Sequence, residues 1–287
     1  MLQDIISGTT VGALYVLLAL GFTVTLGIGD MVNLAHGSVV VAGMYSVFAL
    51  NTEFGVSPYL AVVAATVICA ALSLVIYLLA IEPSRRSGAG HREQVIYTLV
   101  ITSGLAIAFQ LFFGGDLKGL AFTGADVVTA GGITIAKARL VAFVIAVLVC
   151  AVFVVWLRYT TSGQLVRMTG RYTESAYAMG VPVRAVFIAV FCLGGALGGL
   201  AGGLLMTILP VSPTIGLDFL LIALIVAIAG RLSFVGVGVV GLAYGIVQAV
   251  LSNRIGGSST ALVVFVAFLA VLAAQRIFVG RLAARSA

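Results

Sequence analysis

The 287-residue chain is 62% hydrophobic and only 8% charged, with a mean hydropathy of +1.26. Because a water-soluble domain carries roughly 25% charged residues, this composition excludes a soluble protein and predicts an integral membrane protein. The net charge of +6 does not indicate nucleic-acid binding, since the basic residues lie in short breaks between apolar runs. The three cysteines lie singly inside apolar segments, which favours small core residues over a metal or redox pair.

Hydropathy and the breaks between apolar runs predict an all-α fold, a polytopic transmembrane helix bundle of about eight to ten spans. The first apolar run follows Asp4 rather than a basic stretch, so we expect a retained helix and not a cleaved signal peptide. We expect a single transmembrane domain over residues 1–287. Nine segments are predicted, at about 5–28, 36–51, 58–81, 94–113, 138–157, 185–208, 217–231, 234–251 and 259–279.

The distribution of basic residues predicts the orientation of the bundle. If the N-terminus is outside and the spans alternate, eleven of the 15 Lys and Arg residues lie inside and four outside. The excess on one side predicts an external N-terminus and a cytoplasmic C-terminus. Residues 158–184 then form the main cytoplasmic loop, and residues 114–137 form an external loop. The β-prone run from Ile133 to Ile135 in the external loop predicts a short hairpin.

The first motif runs from Asn33 to Gly37 and follows the first predicted span. Glycines on both sides of Asn33 and His36 predict a broken or re-entrant helix, in which polar side chains line a cavity or satisfy the free backbone groups. A hydrogen-bonded structural role for His36 is at least as well supported by this pattern as a contact with substrate.

The second motif, from Glu174 to Gly180, lies in the predicted cytoplasmic loop. Its acid suits a helix N-terminus and its glycine a helix end, which predicts a short helix for surface docking.

Two four-residue glycine ladders follow, and they predict a flat strip where another backbone packs closely. The ladders are Gly194, Gly198 and Gly202, and Gly195, Gly199 and Gly203.

The sequence contains few residues of the kinds that carry catalysis or couple transport to an ion. The sequence contains no Walker A loop and no HExxH or GxSxG motif, and its only histidines are His36 and His91. We therefore predict no catalytic residues and no metal site. All nine acidic residues lie at the ends of predicted segments or in loops, so no coupling carboxylate is expected inside the membrane. A transporter of this kind requires energy from a separate ATPase.

These motifs together resemble the permease subunits of the branched-chain amino acid type of bacterial ABC importer. The similarity covers roughly residues 5–250, and its departure is Gly230–Arg231, where the family has paired glycines. The segments that carry the resemblance are Gly12 to Gly21, Asn33 to Gly37, Gly43 to Tyr45, Ile81 to Arg86, Tyr159 to Gln164, Glu174 to Gly180 and Phe191 to Gly203.

The resemblance implies an inner-membrane permease that forms half of a pathway for a small polar solute, with branched-chain or related amino acids first. Glu174, Ala176 and Gly180 would couple it to an ATPase, and Tyr15, Asn33 and His36 are candidate residues of the pathway. The implied partners are a second permease of the same or a sister type, two cytoplasmic ATP-binding subunits that hold ATP and magnesium, and an external substrate-binding protein. No cofactor is expected on this chain. The alternative is a stand-alone secondary carrier or channel for an amide, urea-like or small organic acid solute.

Overall fold

The computed structural model describes residues 1–88, 90–120, 127–130, 133–256, 263 and 266–267. Apart from residues 263, 266 and 267, the ninth predicted segment, 259–279, lies outside these described residues. The helices are α1 (Leu2–Thr23), α2 (His36–Thr52), α3 (Pro58–Ile76), α4 (Glu82–Ser87), α5 (His91–Phe113), α6 (Lys137–Tyr159), α7 (Thr161–Arg171), α8 (Thr173–Ala178), α9 (Val183–Met206), α10 (Gly216–Ala229) and α11 (Phe234–Ile255). Two π-helical turns, Val24–Ile28 and Tyr77–Ile81, extend α1 and α3.

The predicted helical membrane bundle is confirmed. Within the described ranges, six helices are long and apolar enough to cross a membrane, and the helices α2 and α10 are shorter, with 17 and 14 residues. Each of the first eight predicted segments corresponds to one membrane helix. The predicted hairpin is also present, because β1 (Val127–Ala130) pairs antiparallel with β2 (Ile133–Ala136).

Helices α1 and α9 form the buried centre of the bundle. Helix α1 packs against α6, α9, α10 and α11, and α9 packs against α2 and α3. By contrast, α5 and α6 expose many large apolar side chains, such as Val100 and Val152. In a membrane these exposed faces meet lipid, where an apolar surface has no cost.

The two ends of the bundle differ in charge. We call them the arginine-rich end and the hairpin end. At the arginine-rich end, the Arg85 guanidinium donates to the carbonyl oxygen of Gly29 (3.3 Å), and α7 packs against the end of α1. At the hairpin end, Asn253 donates to Asp4 (3.2 Å), and the segments after α5 and α9 pair through Lys118 and Val211. The first turn of α1 and the last turn of α11 therefore meet at this end, so these two helices are antiparallel.

Helices α2 and α10 both begin at the middle of the bundle rather than at its surface. The start of α10 lies against the start of α2, because a Cβ on Gly37 would collide with the carbonyl of Gly216. At 1.5 Å per residue, Gly37 is about 22 Å from the end of α2 at Thr52, and Gly216 is about 20 Å from Ala229 at the opposite end. The apolar core of a bilayer is about 30 Å thick, so both helix starts lie near mid-depth.

Candidate functional site

The chain between α1 and α2 re-enters the bundle as non-helical backbone. The π-helical turn Val24–Ile28 ends α1, Asp30 adopts a positive φ of 50°, and no regular helix resumes before His36. This segment, residues 29–35, runs from the arginine-rich end back to mid-depth. Because lipid offers no hydrogen bonds, the backbone groups of such a segment need partners inside the protein.

A stripe of polar side chains on α5 supplies these partners. Gln94 accepts a hydrogen bond from the Val32 N–H (2.9 Å), and Thr98 accepts one from the Leu34 N–H (3.1 Å). Thr102 donates to the Leu34 carbonyl (3.1 Å). The three polar side chains are buried although most of α5 is exposed. This stripe was not among the predicted site residues, although the four-residue spacing of its polar residues on one helix face is visible in the sequence.

Asn33 forms a local turn inside the re-entrant segment. Its side-chain oxygen accepts a hydrogen bond from the Ala35 N–H (3.0 Å), and the residue is buried. A side chain that bonds the backbone two residues ahead favours a turn over a helix. This contact supports a structural role for Asn33, and its contact with substrate stays a prediction.

His36 is fully buried between α1 and α9. Its Nε2 donates to the Leu18 carbonyl (3.1 Å), since a carbonyl oxygen can only accept, and its ring lies edge-on to Phe22 at 5.7 Å. A Cβ on Gly198 would come within 3.0 Å of the ring, so the histidine occupies the space that this glycine leaves. The contacts favour the structural interpretation of His36, and a pathway role for it stays a prediction.

The three candidate pathway residues do not converge on one site. Tyr15 lies on α1, is buried, and meets the ring of Tyr244 on α11 edge-on at 5.7 Å. His36 faces α9 instead, and Asn33 bonds within its own turn. A pathway role for Tyr15 is therefore a separate hypothesis, and its ring contact is with Tyr244 of α11.

The two glycine ladders of α9 lie against different helices and do not form one strip for a single neighbour. A Cβ on Gly194 would lie 2.8 Å from the Gly21 carbonyl oxygen of α1, and one on Gly199 would lie 3.1 Å from the Ala65 carbonyl oxygen of α3. The first ladder faces α1 and α2, and the second faces α3 with further contacts to α2. The first comprises Gly194, Gly198 and Gly202, and the second Gly195, Gly199 and Gly203.

The loop 158–184 contains the helices α7 and α8, which form the surface of the arginine-rich end. Glu174 lies in the first turn of α8 and is exposed, whereas Ala176 is fully buried. Gly180 ends this unit with a φ of 76°, a conformation that favours glycine. The local structure that the motif predicted is therefore present. Two large side chains beside it, Tyr177 and Met179, are exposed.

An ion cluster fixes the start of α9 immediately after this loop. The carboxylate of Glu82 on α4 accepts from Arg86 (2.6 Å) and from Arg184 on α9 (2.8 Å), and it is almost buried. The Arg85 guanidinium next to it stacks on the ring of Phe187, 3.9 Å from its centre. Because Arg85 also donates to the Gly29 carbonyl, this cluster joins α9 to the start of the re-entrant segment.

The depth of one acidic residue, Asp218, could not be predicted from its position at the start of a segment. This residue is at the start of a helix, as the sequence predicted, but that start lies beside Gly37 at mid-depth. Sequence spacing gives the end of a segment and not its depth, so a helix that begins halfway across is read as one that begins at the surface.

Among the described residues, no group of three His, Cys, Asp or Glu side chains comes together as a metal site.

The long apolar helices, the re-entrant segment and the short surface helices define a multi-pass membrane transport protein. Residues 5–274 match the sequence model of the family described as "Branched-chain amino acid transport system / permease component". The chain belongs to this family, and it is a permease subunit of an ABC importer in the bacterial cytoplasmic (inner) membrane.

Comparisons with individual proteins agree with this assignment. The chain is 27% identical to the high-affinity branched-chain amino acid transport system permease protein LivH of Escherichia coli, over 94% of this chain and 92% of that protein. It is 28% identical to a probable branched-chain amino acid transport permease LivH of Methanocaldococcus jannaschii, over 79% and 73% of the two chains. The fold is similar to that of PsaBC from Streptococcus pneumoniae in complex with Fab, with a TM-score of 0.51 at 14% identity, over 92% and 89%.

Proposed function

We propose that this permease forms half of the pathway by which an ATP-driven importer takes up branched-chain or related amino acids. The observation that carries the proposal is the exposed helix α8, a short helix at the arginine-rich end that follows the surface helix α7 and precedes the buried helix α9. The names of the LivH relatives support the substrate class, since those proteins are described as branched-chain amino acid permeases. This chain carries no catalysis of its own, and ATP hydrolysis belongs to the partner.

The arginine-rich end is the cytoplasmic face in this proposal, with the N-terminus outside and the C-terminus inside. It carries Arg85, Arg86, Arg158, Arg167 and Arg171, and basic residues accumulate on the cytoplasmic side of membrane proteins. The loop 158–184 is then the coupling loop, and residues 114–137 form the external loop of a single permease domain. The binding protein docks on the hairpin end.

Each ATP-binding subunit docks on α8 of one permease. Glu174, Ala176 and Gly180 give α8 and the turn that follows it their shape. Glu174 is exposed for an ion pair, Ala176 packs beneath the helix, and Gly180 supplies the turn that leads into α9. The exposed side chains of Tyr177 and Met179 add apolar surface for the partner. Movement of α8 reaches the core through α9, whose Arg184 is paired with Glu82.

The complete importer contains a second permease of the same or a sister type, two ATP-binding subunits and an external binding protein. ATP and magnesium bind to the ATP-binding subunits, and this chain needs no cofactor. The partners select between outward-facing and inward-facing states because each binds one state more tightly than the other.

A pull-down from detergent-solubilised native membranes tests the coupling site. We expect an ATP-binding subunit to co-purify with the tagged wild-type chain and to be lost from Glu174→Lys and Gly180→Trp. The first change reverses the charge on α8, and the second places a side chain at a positive φ.

The matched control is Glu53→Lys, an exposed acid at the opposite end of the bundle, which should retain the ATPase. Size-exclusion chromatography establishes that each variant is folded. If both α8 variants retain the ATPase, α8 is not the docking site, and if the wild type brings down no ATPase, the proposed assembly is wrong.

A further inference from the structure

Asp218 places a carboxylate at mid-depth on an exposed face of the permease. It lies in the first turn of α10, whose start contacts Gly37 and the start of α2. Unlike its neighbour Phe219, which is buried, Asp218 is exposed. Its side chain therefore points out of this chain at a level where a bilayer is driest.

A carboxylate that faces lipid at this depth is strongly unfavourable, and ionisable residues in membrane helices face a water-filled cavity or another protein group. Residues near the start of α10 form a polar surface on the side of this helix that packs against the rest of the chain. Helix α10 packs against α1 and α11, and Tyr15 of α1 lies 5.7 Å from Tyr244 of α11 between ring centres. Gln248 lies one helical turn beyond Tyr244 on α11. Within the described part of the chain, the buried Oε1 of Gln248 has no hydrogen-bond partner.

Two leucines flank the carboxylate on the same exposed face. Leu217 is 51% exposed and Leu221 is 39% exposed. A negative charge beside branched aliphatic side chains is the surface that an apolar α-amino acid fits, because its ammonium group requires a carboxylate and its side chain an apolar wall. Neither a sugar nor an inorganic anion matches this pairing.

From this placement we infer that Asp218 lines the translocation pathway and binds the ammonium group of the amino acid, with Leu217 and Leu221 against its side chain. The inference rests on the proposed function and deepens it by assigning the substrate contact. Tyr15 and Tyr244 are positioning residues in this site, since their helices α1 and α11 pack against α10 and the two rings contact each other.

Leucine uptake by the complete importer, expressed with its own ATP-binding and binding-protein subunits, is the first test. We expect Asp218→Asn to lower uptake at least about tenfold, the loss that corresponds to one charge-assisted hydrogen bond, and Asp218→Glu to retain part of the activity. Glu93→Gln, which neutralises an acid in the first turn of α5 away from both α8 and the hairpin end, is the matched control and should leave uptake unchanged. Normal uptake by Asp218→Asn would overturn the inference while leaving the proposed function intact.

Thiol labelling is the second test and does not depend on the identity of the substrate. A membrane-impermeant cationic methanethiosulfonate should modify Asp218→Cys in the assembled importer, and leucine should slow the modification. Val100→Cys, on the lipid-exposed face of α5, and the unsubstituted chain give the background. If wild type does not transport leucine, the proposed substrate is wrong and labelling alone decides whether Asp218 lines a pathway. Background labelling of Asp218→Cys, or separation of the two permeases by Asp218→Asn, would place the residue in an interface and refute the pathway assignment.

Discussion

Replacing Thr98 by valine removes one hydroxyl from the stripe on α5 with almost no change of shape. The Leu34 N–H then loses its 3.1 Å acceptor, and the site is closed to water by the surrounding helices. Leaving a buried donor without a partner costs about 1–3 kcal/mol. For a protein of this size, each kcal/mol lowers the Tm by about 2–4 °C, so we expect Thr98→Val to lower it by about 2–12 °C.

The assay is thermal unfolding of the detergent-purified chain, followed by the loss of its monodisperse size-exclusion peak. Ser103→Ala is the matched control, because Ser103 lies on the same helix, is exposed, and bonds only the carbonyl of Leu99 on its own helix (3.2 Å). We expect this control to change the Tm by less than about 2 °C. Equal Tm values for Thr98→Val and Ser103→Ala would show that the α5 stripe does not hold the re-entrant segment.

Two further substitutions test the ion cluster and the glycine ladders. Glu82→Gln should destabilise the chain by about 1.5–3 kcal/mol, since it removes the charge from the hydrogen bonds to Arg184 and Arg86 while keeping the side-chain shape; urea titration of the detergent-purified protein measures this change. Gly202→Leu should abolish the monodisperse peak, because a Cβ there collides with the backbone of Val40, whereas Gly104→Leu should not, as a Cβ at Gly104 meets nothing within 4 Å.

Each of these two predictions has a result that contradicts it. For Glu82→Gln, the comparison is Glu53→Gln at the exposed end of α2, and equal stability of the two variants would assign no net stabilisation to the cluster. For Gly202, a normal elution profile of the leucine variant would mean that α2 and α9 separate without loss of the fold.

The sequence predicts the helices of this bundle well because lipid imposes a simple length and composition on each span. It also predicts the break at Asn33 and the turn at Gly180, since both depend on local residues. Depth is different. Asp218 is read as the end of a span, and its position midway follows only from the contact between Gly216, at the start of α10, and Gly37 of α2.

Partners across the bundle are likewise hidden from a single sequence. Thr98 looks like an ordinary helical threonine until Leu34, 64 positions earlier, is placed beside it. The same holds for Glu82 and Arg184, which are 102 positions apart and whose pairing depends on how α4 meets α9. The coupling and pathway roles of the motif residues depend on other chains and therefore stay predictions.

The shortness of α2 and α10 has a consequence for how this protein is made. With 17 and 14 residues, they fall below the roughly 20 apolar residues that let a segment enter a bilayer on its own, and α10 begins beside a backbone that it must contact. Each must therefore enter the membrane together with its neighbours. Because α1 packs extensively against α11, this contact forms only after all the helices between them have been synthesised.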